Sequence, residues 1–590
     1  MIHLIPTEAK RFRTFGWVQD PSDFRSLCDV VAIFDETSLK HQELAGQVIP
    51  ALVEERDGRQ RLLDALNQRP LRISYTDLVG TSFTPRSAAR CNGIVQAAVR
   101  GQVRPFIGDW PADNFVRWAH ALGFLRYGYQ GDAFELTETG KALAQARTQG
   151  EELNSQEKEL LTSAVLAYPP AVRILSLLGE GEGAHLTKFE LGKQLGFVGE
   201  DGFTSLPQTV LVRSLASSKD AKEKNKMKTD WDGSSDKYAR MIAKWLEKLG
   251  LVKQEAKPVT VTLAGRKYTE SIGQSYVITG LGITALNLGK SRHKRIPKNV
   301  SFEMMATKGD DREYLRTRRT CVLKAVSEGK GRVSYTEIQK YLEALGLQED
   351  EATIRDDVQG LIHIGLNIAA GERECVWKDE INDLILPVPK KLAKSSQSET
   401  KEKLREKLRN LPHEYLSLVD LAYDSKQNRL FEMKVIELLT EECGFQGLHL
   451  GGSRRPDGVL YTAGLTDNYG IILDTKAYSS GYSLPIAQAD EMERYVRENQ
   501  TRDELVNPNQ WWENFENGLG TFYFLFVAGH FNGNVQAQLE RISRNTGVLG
   551  AASISQLLLL ADAIRGGRMD RERLRHLMFQ NEEFLLEQEL

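Results

Sequence analysis

Two aspartates and a lysine stand in an apolar stretch near the C-terminus, PDGVLYTAGLTDNYGIILDTKAY at 456–478. The stretch is typical of two short strands joined by the turn residues GLTDNYG. A turn centred near residues 466–467 would place Asp457 opposite Lys476. Asp474 would then share a sheet face with Lys476, because alternate residues of a strand point the same way. The pattern predicts that the three side chains form one cluster.

Such a cluster is suited to chemistry on a phosphate. Two neighbouring carboxylates repel each other unless a cation lies between them, and hard oxygen ligands suit Mg²⁺, which also accepts phosphate oxygens. A lysine beside them can stabilise developing charge or orient an attacking water. An Asp-x-Lys pair alone is weak evidence, since it also forms ordinary surface salt bridges. The Pro-Asp before the turn completes a PD-(D/E)xK nuclease pattern and favours catalysis.

Length and composition limit which elements can position this cluster. At 590 residues the chain is too long for one core and predicts about three to five domains. Its 41% hydrophobic and 27% charged residues are typical of globular proteins. The sequence has no apolar run of membrane-spanning length and no signal peptide, so we expect a cytoplasmic protein without a membrane partner. The five cysteines are too far apart in sequence for a disulfide framework or a zinc site.

The net charge of −3 does not by itself indicate nucleic-acid binding, but two stretches are strongly basic. Residues 219–228, KDAKEKNKMK, are typical of a flexible loop. Residues 290–298, KSRHKRIPK, are typical of an exposed connector that can lie along phosphates. The alternative for each is a solvated face without a partner.

Three regions before residue 385 share one order of elements: short helical segments, a longer helix that ends at a glycine, and a β-hairpin. The glycines are Gly123, Gly250 and Gly365, and Ser235 is the expected N-cap of the second long helix. This is the order of a winged helix-turn-helix, which places a recognition helix in the major groove. Such units also make protein contacts, but three in tandem with basic connectors favour DNA binding.

The composition changes near residue 385, where prolines and a polar, serine-rich tract are typical of a linker. Helices before, between and after strands then indicate a compact α/β domain. We therefore predict a multidomain protein with three N-terminal, mainly α, winged-helix recognition subdomains and a C-terminal α/β PD-(D/E)xK nuclease domain. The predicted limits are 1–152, 153–296 and 297–384 for the subdomains, 385–400 for the linker and 401–590 for the nuclease domain.

Longer strings resemble the FokI-like family of type IIS restriction endonucleases almost from end to end. RTFGWVQ, RWAHALGF, LGFVGEDGFTSLP and GSSDKYARMI resemble the recognition half, and HLGGSRRPDG, DTKAY, LPIAQADEMERYV and FLFVAGHF resemble the cleavage half. The resemblance implies that the chain binds a short asymmetric site in double-stranded DNA and cuts both strands at a fixed distance, with Mg²⁺ as cofactor. It also implies that Asp457 and Asp474 are metal ligands and that Lys476 is the catalytic lysine.

The resemblance further implies a set of DNA-contacting residues in the recognition half. They are Gln19, Asp20, Arg86, Gln102, Trp110, Asp232, Lys237 and Arg240. Lysine can donate to guanine and aspartate can accept from cytosine, so Lys237 and Asp232 suit a G·C pair; the alternative for Asp232 is a turn residue. Asp20 stands where FokI has asparagine and Asp232 where it has glutamate, so the recognition sequence stays open.

The helix LPIAQADEMERYV carries Asp490 and Arg494, four residues apart. The ordinary interpretation is an intrahelical pair; in the family, the matching residues lie at a dimer interface between two cleavage domains. One active site is enough for one strand, so a double-strand cut requires a transient homodimer. Glu432 is a further candidate carboxylate for the site. His530 could approach the site, but a core or capping role is the preferred interpretation.

Two other functions are compatible with parts of this pattern. A non-enzymatic winged-helix regulator would use the C-terminal domain only to dimerise, which the clustered Asp457, Asp474 and Lys476 argue against. A repair or modification-dependent nuclease would use the same PD-(D/E)xK core. The family resemblance favours a restriction enzyme in a bacterial cytoplasm, with a cognate DNA methyltransferase in the same host.

Overall fold

The computed structural model describes most of the chain. The described residues are 2–6, 17–18, 21–81, 90–129, 131–148, 150–181, 183–200, 207–218, 220–234, 236–263, 266–290, 296–329, 331–388, 393–462, 468–553 and 556–586.

The chain separates into two compact units. The first contains Met1–Phe197, Asp236–Glu255 and Gln274–Lys394, and the second contains Val198–Ser235, Ala256–Gly273 and Ser395–Leu590. Two segments of the second predicted subdomain therefore belong to the same unit as the C-terminal domain, which sequence order did not indicate.

The first predicted subdomain is mainly helical and ends in a small sheet. Its elements are β1 (Ile2–Pro6), α1 (Phe24–Ala32), α2 (Leu39–Glu43), α3 (Ile49–Leu52), α4 (Arg56–Asn67), β2 (Ile73–Ser74), α5 (Tyr75–Val79), α6 (Ile94–Ala98), α7 (Asp109–Ala121), β3 (Leu125–Gly128), β4 (Ala133–Leu136) and α8 (Glu138–Ala146), with a π-helical turn at Leu44–Val48.

The second predicted subdomain has helices around two separate sheets. Its elements are α9 (Ser155–Ala167), α10 (Pro169–Gly179), β5 (His185–Thr187), α11 (Lys188–Lys193), α12 (Gln208–Ser217), α13 (Ala221–Ser234), α14 (Lys237–Lys248), β6 (Val252–Gln254), β7 (Lys257–Leu263), β8 (Arg266–Ile272), β9 (Ser275–Ile278) and α15 (Gly280–Lys290).

The third predicted subdomain is the smallest. Its elements are α16 (Arg312–Glu328), β10 (Val333–Ser334), α17 (Tyr335–Ala344), α18 (Glu351–His363), β11 (Ile368–Ala370), β12 (Glu374–Trp377) and β13 (Leu384–Val388), with a 3₁₀ turn at Phe302–Met305. Strand β13 pairs in parallel with β1, so part of the predicted linker range is strand.

Each subdomain begins its helix-turn-helix in the same way. A short strand leads directly into a helix whose N-cap is Ser74, Thr187 or Ser334. In the second and third copies, Glu190 and Glu337 complete a capping box by accepting from the backbone of the capping residue. These reciprocal bonds satisfy the free N–H groups of the first turn, so each helix starts at a fixed residue.

The predicted wings form in the first and third subdomains. Strand β3 pairs antiparallel with β4, and β11 pairs with β12, each completed by the strand that precedes the helices. In the second subdomain the prediction of a hairpin directly after the long helix is wrong. Strand β6 pairs with β9, and β7 and β8 form a sheet of their own. The intervening strands lie in the other compact unit, so the wing closes across a long insertion.

The repeated tryptophans of the first two subdomains lie against each other. Trp118 of α7 and Trp245 of α14 are fully buried, and their rings stack with centroids 5.0 Å apart. Both residues occupy the same position before the glycine that ends their helix. The two long helices therefore share one aromatic core within the first unit.

The C-terminal domain surrounds a five-stranded sheet with helices. Its elements are α19 (Ser396–Lys407), α20 (Ser417–Leu421), α21 (Asn428–Glu437), β14 (Gln446–His449), β15 (Gly458–Thr462), β16 (Tyr469–Lys476), α22 (Ile486–Thr501), β17 (Phe522–Ala528), α23 (Val535–Thr546), β18 (Gly550–Ser553), α24 (Gln556–Arg565) and α25 (Arg571–Gln580), with 3₁₀ turns at His413–Leu416, Ser425–Gln427 and Trp511–Asn514 and a π-helical turn at Leu438–Glu442.

The sheet order is β14-β15-β16-β17-β18, antiparallel as far as β16 and parallel beyond it. One hydrophobic cluster covers one face, where α20, α21 and α24 pack, and a second cluster with α22 and α23 covers the other. Strand β16 is therefore buried on both faces, as its run of apolar residues predicts.

Within the segment predicted as a flexible loop at 219–228, residues 221–228 are instead the first half of helix α13, and Lys219 lies outside the described residues. Lys228 pairs with Glu270 of β8 at 2.8 Å, and Asp230 of the same helix pairs with Arg429 of α21 at 3.0 Å. The Glu270 carboxylate neutralises the charge of Lys228, and the Arg429 pair links the second half of the helix to α21.

Among the described residues, no single helix is long and apolar enough to cross a membrane. The consecutive helices α9 and α10 reach that length and composition only together, and they meet at an angle of 85°.

Candidate active site

The hairpin of β15 and β16 brings the three predicted catalytic side chains together. Its register pairs Gly458 with Leu473, which places Asp457 opposite Asp474 and not opposite Lys476 as predicted. The shift is two residues, so the face on which each side chain lies is unchanged. Lys476 Nζ donates to Asp474 Oδ1 at 2.6 Å. The predicted cluster is present, with its two carboxylates directly across the strands.

Backbone and hydroxyl donors hold Asp457 in place at the start of its strand. Thr475 donates to Asp457 Oδ2 twice, from its backbone N–H at 2.7 Å and from its hydroxyl at 3.1 Å. The Asp457 carbonyl accepts from the N–H of Leu450 at 2.8 Å. These bonds engage Oδ2 and fix the Asp457 carboxylate at the start of its strand, beside the cluster.

The electrostatics of the cluster are those of a site built for a cation. Asp474 is 5% exposed, and its pKa lies well above the ordinary range because of burial first and the Asp457 carboxylate second. Burial, and then the charge of Glu432, raise the pKa of Asp457. Burial lowers the pKa of Lys476, but Asp474 and Asp457 outweigh it and raise that pKa above its ordinary value, so the ammonium is retained at neutral pH.

A divalent metal fits this donor set. Two carboxylates whose pKa values are raised chiefly by burial gain most from a hard cation placed between them. Within the described ranges, no group of three or more histidine, cysteine or acidic side chains is arranged to hold a metal. Asp457 and Asp474 would therefore supply two ligands and leave the remaining positions to water and phosphate oxygens.

Several groups around the cluster were not predicted, and one was predicted only as an alternative. Glu432 of α21 accepts from His449 Nε2 at 2.8 Å, which orients Glu432 beside the site. Glu491 of α22 accepts from the Tyr495 hydroxyl at 2.9 Å, and its charge contributes to the raised pKa of Lys476. His449 ends β14 and Glu491 lies in α22, and no sequence motif marked either residue as part of the site.

His530 has the structural role that was preferred for it. It follows β17, its Nδ1 lies 3.1 Å from the Tyr423 hydroxyl, and its carbonyl accepts from the backbone of Tyr482 at 2.9 Å. A Cβ on Gly481 would meet the His530 ring at 2.2 Å, so that glycine leaves room for the ring. His530 therefore joins the loop after β16 to the end of β17.

Comparison with known proteins identifies the family. Models of the FokI cleavage domain and of FokI recognition subdomains 1, 2 and D3 match residues 394–585, 13–146, 157–292 and 305–373. The type II restriction enzyme FokI of Planomicrobium okeanokoites is 45% identical over 96% of this chain and 98% of its own length. The chain belongs to the FokI family. The predicted family, multidomain architecture and class of site-specific endonuclease are thereby confirmed.

Further relatives agree with the family assignment. The type II restriction enzyme StsI of Streptococcus sanguinis is 34% identical over 95% of this chain and 94% of its own. Two solved structures, one of restriction endonuclease FokI and one of FokI bound to DNA, match with TM-scores of 0.88 and 0.89 at 44% identity, covering 97% of this chain and all of theirs. The match extends over both halves of the FokI-family chain.

The predicted dimer residues of this FokI-family chain lie on the surface of α22, but they do not form the intrahelical pair with each other. Arg494 pairs with Glu491 at 3.0 Å and approaches Glu498 at 3.7 Å. Asp490 pairs with Arg541 of α23. The Asp490 and Arg494 side chains remain 53% and 41% exposed, so a partner can still reach them.

The predicted DNA-contacting residues fall into three groups. Gln19, Asp20 and Arg86 lie outside the described residues. Gln102 is exposed in the loop before α7, and Trp110, 48% exposed, lies in the first turn of that helix. Exposed aromatic rings are uncommon in a solvated helix, so Trp110 is available to a partner.

The third group comes from one stretch of sequence, residues 232–240. Lys237 is exposed at its first position, Arg240 is half-buried one turn later, and Asp232 is exposed in α13. The N-cap of α14 is Asp236, which accepts from the Ala239 N–H at 3.1 Å, and not Ser235 as predicted; Ser235 itself lies outside the described residues. Lys237 therefore stands at the helix N-terminus, where helix-turn-helix proteins meet base edges.

One residue of the predicted basic connector is not available to DNA. Lys298 is 2% exposed, and its ammonium donates to the carbonyl of Leu166 at 3.1 Å. Burial lowers its pKa, partly offset by the charge of Asp379. Residues 291–295 of that connector lie outside the described residues.

Proposed function

We propose that this FokI-family endonuclease binds a short asymmetric site in double-stranded DNA through its three winged-helix subdomains and cuts both strands at a fixed distance. The observation that carries the proposal is the pairing of Asp457 with Asp474 across β15 and β16, with the Lys476 ammonium 2.6 Å from Asp474 Oδ1. The two carboxylates can bind a metal ion, and the Lys476 ammonium can contact a phosphate. The packing of an apolar hairpin does not require any of these three charged side chains.

The catalytic roles follow from the protonation and position of each group. Asp457 and Asp474 are the metal ligands, and Mg²⁺ is the cofactor that would polarise the scissile phosphate and lower the pKa of an attacking water. Lys476 keeps its charge and stabilises the negative charge that develops on the phosphate oxygens. Thr475 holds the Asp457 carboxylate in place opposite Asp474 through two bonds to Oδ2.

Recognition and cleavage are assigned to different residues. Gln102, Trp110, Asp232, Lys237 and Arg240 contact the DNA site. Lys237, at the N-terminus of α14, has the exposure and charge to donate to a guanine. Gln19, Asp20 and Arg86 complete the set by their position in the family motifs. Base contacts from this limited set supply specificity, while phosphate contacts supply most of the affinity.

Cutting both strands requires two cleavage domains. One domain contains one Asp457, Asp474 and Lys476 cluster, and one cluster hydrolyses one strand. Asp490 and Arg494, exposed on α22, form the surface through which two copies dimerise transiently on DNA. A cognate DNA methyltransferase protects the host genome, and both enzymes act in the bacterial cytoplasm.

The test is the digestion of plasmid DNA with the purified full-length protein and Mg²⁺, followed by sequencing of the ends. We expect every cut to lie at one distance to one side of a common short sequence, with a constant stagger between strands. Intact DNA under conditions in which footprinting detects a bound site would contradict the proposal. Cleavage restricted to methylated plasmid would indicate a modification-dependent enzyme.

A further inference from the structure

Two stacked tyrosines, Tyr478 and Tyr482, follow strand β16 shortly after Lys476. Their ring centroids are 5.5 Å apart and the ring planes differ by 22°. Tyr478 is 49% exposed, whereas Tyr482 is only 4% exposed. Tyr482 is therefore the inner member of the pair, and the ring of Tyr478 covers one of its faces.

Backbone bonds fix Tyr482 beside the end of strand β17. Its N–H donates to the carbonyl of His530 at 2.9 Å, and its carbonyl accepts from the N–H of Asn532 at 2.8 Å. Through these bonds Tyr482 forms a parallel bridge with Phe531. The backbone bonds and the stacked ring of Tyr478 together restrict the position of the Tyr482 hydroxyl.

Tyr482 lies on the face of the sheet that carries the catalytic cluster. In the register of β16 and β17, Asp474 pairs with Phe526 and Lys476 pairs with Ala528. Phe526, Ala528 and Tyr482 belong to one hydrophobic cluster, the one that α22 and α23 cover. Paired residues of adjacent strands direct their side chains to the same face, so Asp474, Lys476 and Tyr482 lie on one side of the sheet.

The hydroxyl of Tyr482 is a buried donor, and within the described part of the chain no group forms a hydrogen bond with it. Burial first, and then the charge of Asp474, raise the pKa of Tyr482 above its ordinary value, so the hydroxyl keeps its proton. Phenylalanine would fill the same space without burying an unpaired hydroxyl. A donor whose partner is missing, on the face of the metal ligands, points to a ligand of the site as that partner.

A phosphate bound at the carboxylates would come within reach of this hydroxyl. Asp474 is 5% exposed, nearly the same as Tyr482, so a phosphate oxygen that reaches Asp474 has entered the site to the depth of Tyr482. Lys476 already donates to Asp474 Oδ1 at 2.6 Å, which engages part of its capacity as a donor. A second donor would increase the stabilisation of negative charge on the phosphate.

We propose that the Tyr482 hydroxyl donates a hydrogen bond to a non-bridging oxygen of the scissile phosphate and stabilises the charge that develops there during hydrolysis. The inference rests on the proposed function, since it requires Asp474 and Lys476 to act on a phosphate. Tyr482 is then a catalytic residue that works beside Lys476. The hydroxyl keeps its proton throughout, so no proton is transferred to or from Tyr482.

The first test compares single-turnover cleavage of a duplex, with Mg²⁺, by full-length wild type and Tyr482→Phe. Loss of one donor to a developing oxyanion slows a reaction on the order of a hundredfold, and we expect a decrease of that size with site binding unchanged. Tyr523→Phe is the matched control, because Tyr523 is a buried tyrosine on the opposite face of the same sheet, and it should cut at the wild-type rate. If Tyr482→Phe also cuts at the wild-type rate, the role of Tyr482 is wrong.

A second test separates a contact with the phosphate from a structural effect. Sulfur accepts hydrogen bonds more weakly than oxygen, so sulfur at the oxygen that receives the hydroxyl should slow the wild type. The two phosphorothioate diastereomers are tested separately at the cut position found by sequencing the ends. For one of them we expect the slowing to be about tenfold smaller in Tyr482→Phe, which has already lost the bond. Equal sulfur effects in both proteins, for both diastereomers, overturn the inference even if Tyr482→Phe cuts slowly.

A third measurement does not depend on cutting. Tyr482→Phe retains Asp457 and Asp474, so its Tm should rise with Mg²⁺ as much as the wild-type Tm does. A lost rise would make Tyr482 part of the metal site and would overturn a contact with phosphate. If the wild type leaves the duplex intact, the proposed function fails and the role of Tyr482 fails with it. If the wild type cuts and Tyr482→Phe cuts equally fast, the proposed function stands and only the role of Tyr482 is wrong.

Discussion

Replacing Asp474 with asparagine removes one charge from the centre of the candidate site and preserves the shape of the side chain. Asp474 is buried beside Asp457, and burial and that neighbour raise its pKa far above the value of an exposed carboxyl. A carboxyl whose pKa is higher in the folded than in the unfolded state makes the free energy of unfolding fall as pH rises through that interval. Without metal, we therefore expect Asp474→Asn to be at least as stable as wild type at neutral pH, and equal to it below the ordinary pKa of aspartate.

Mg²⁺ should reverse this order of stability between Asp474→Asn and wild type. At a free Mg²⁺ concentration ten times the dissociation constant, binding to the folded state alone adds about 1.4 kcal/mol of stability. For a cleavage domain of about 190 residues this corresponds to a rise in Tm of about 4 °C. Asp474→Asn lacks one of two protein ligands, so its Tm should not rise with Mg²⁺. A loss of about 4 kcal/mol of transition-state stabilisation would slow cutting about a thousandfold.

The assay pairs thermal melts, with and without Mg²⁺, with single-turnover cleavage and site binding measured without metal. Glu516→Gln, which neutralises an exposed carboxylate of the same domain, is the matched control and should keep both the Tm rise and the cutting rate. Retained cutting by Asp474→Asn would refute the catalytic assignment. An equal Tm rise in both proteins would place the metal elsewhere.

Three further predictions concern the same domain. Asp490→Ala with Arg494→Ala should slow double-strand cleavage steeply and leave site binding by one monomer unchanged; equal cleavage rates would refute the dimer interface. Burial alone would raise the pKa of Asp562, but three backbone N–H donors at 409–411 outweigh it and lower that pKa below 3.8. Asp562→Asn should therefore cost about 2 kcal/mol at pH 7, a difference that shrinks as pH falls below 3.8; urea unfolding at pH 7 and pH 3 checks it, and an equal cost at both values would contradict it. The Tyr482 hydroxyl is buried without a hydrogen-bond partner in the described part of the chain, so Tyr482→Phe should raise stability by about 1 kcal/mol in a urea melt, and a loss would contradict this.

The sequence predicted the face of each catalytic side chain but not the register of the hairpin. Alternation along a strand has a period of two, so any even shift leaves Asp457, Asp474 and Lys476 on the same side of the sheet. The centre of the turn depends on loop residues whose chemistry permits several lengths, and the prediction was two residues away. The cluster could therefore be predicted, while the exact opposition of Asp457 and Asp474 could not.

Tertiary contacts explain the larger differences between the predicted and the observed elements. The wing of the second subdomain was predicted between neighbouring strands, but β6 finds its partner β9 only after β7 and β8, and no local pattern records that choice. The basic stretch at 219–228 was predicted as a loop because like charges in sequence repel. Glu270, which pairs with Lys228, lies 42 residues away in the sequence, so the local charge pattern gave no sign of this pair.

Burial separates the basic residues that can bind DNA from those that cannot. Lys298 belongs to a stretch whose composition is typical of a phosphate-binding surface, yet it is buried and its ammonium donates to a backbone carbonyl. A buried cation that has a fixed partner releases no counterions when DNA binds, so it cannot contribute to the salt dependence of binding. Lys237 is exposed at a helix N-terminus and can contribute. Exposure, and not the density of lysine and arginine in the sequence, therefore determines which side chains of this FokI-family enzyme are candidates for reading its site.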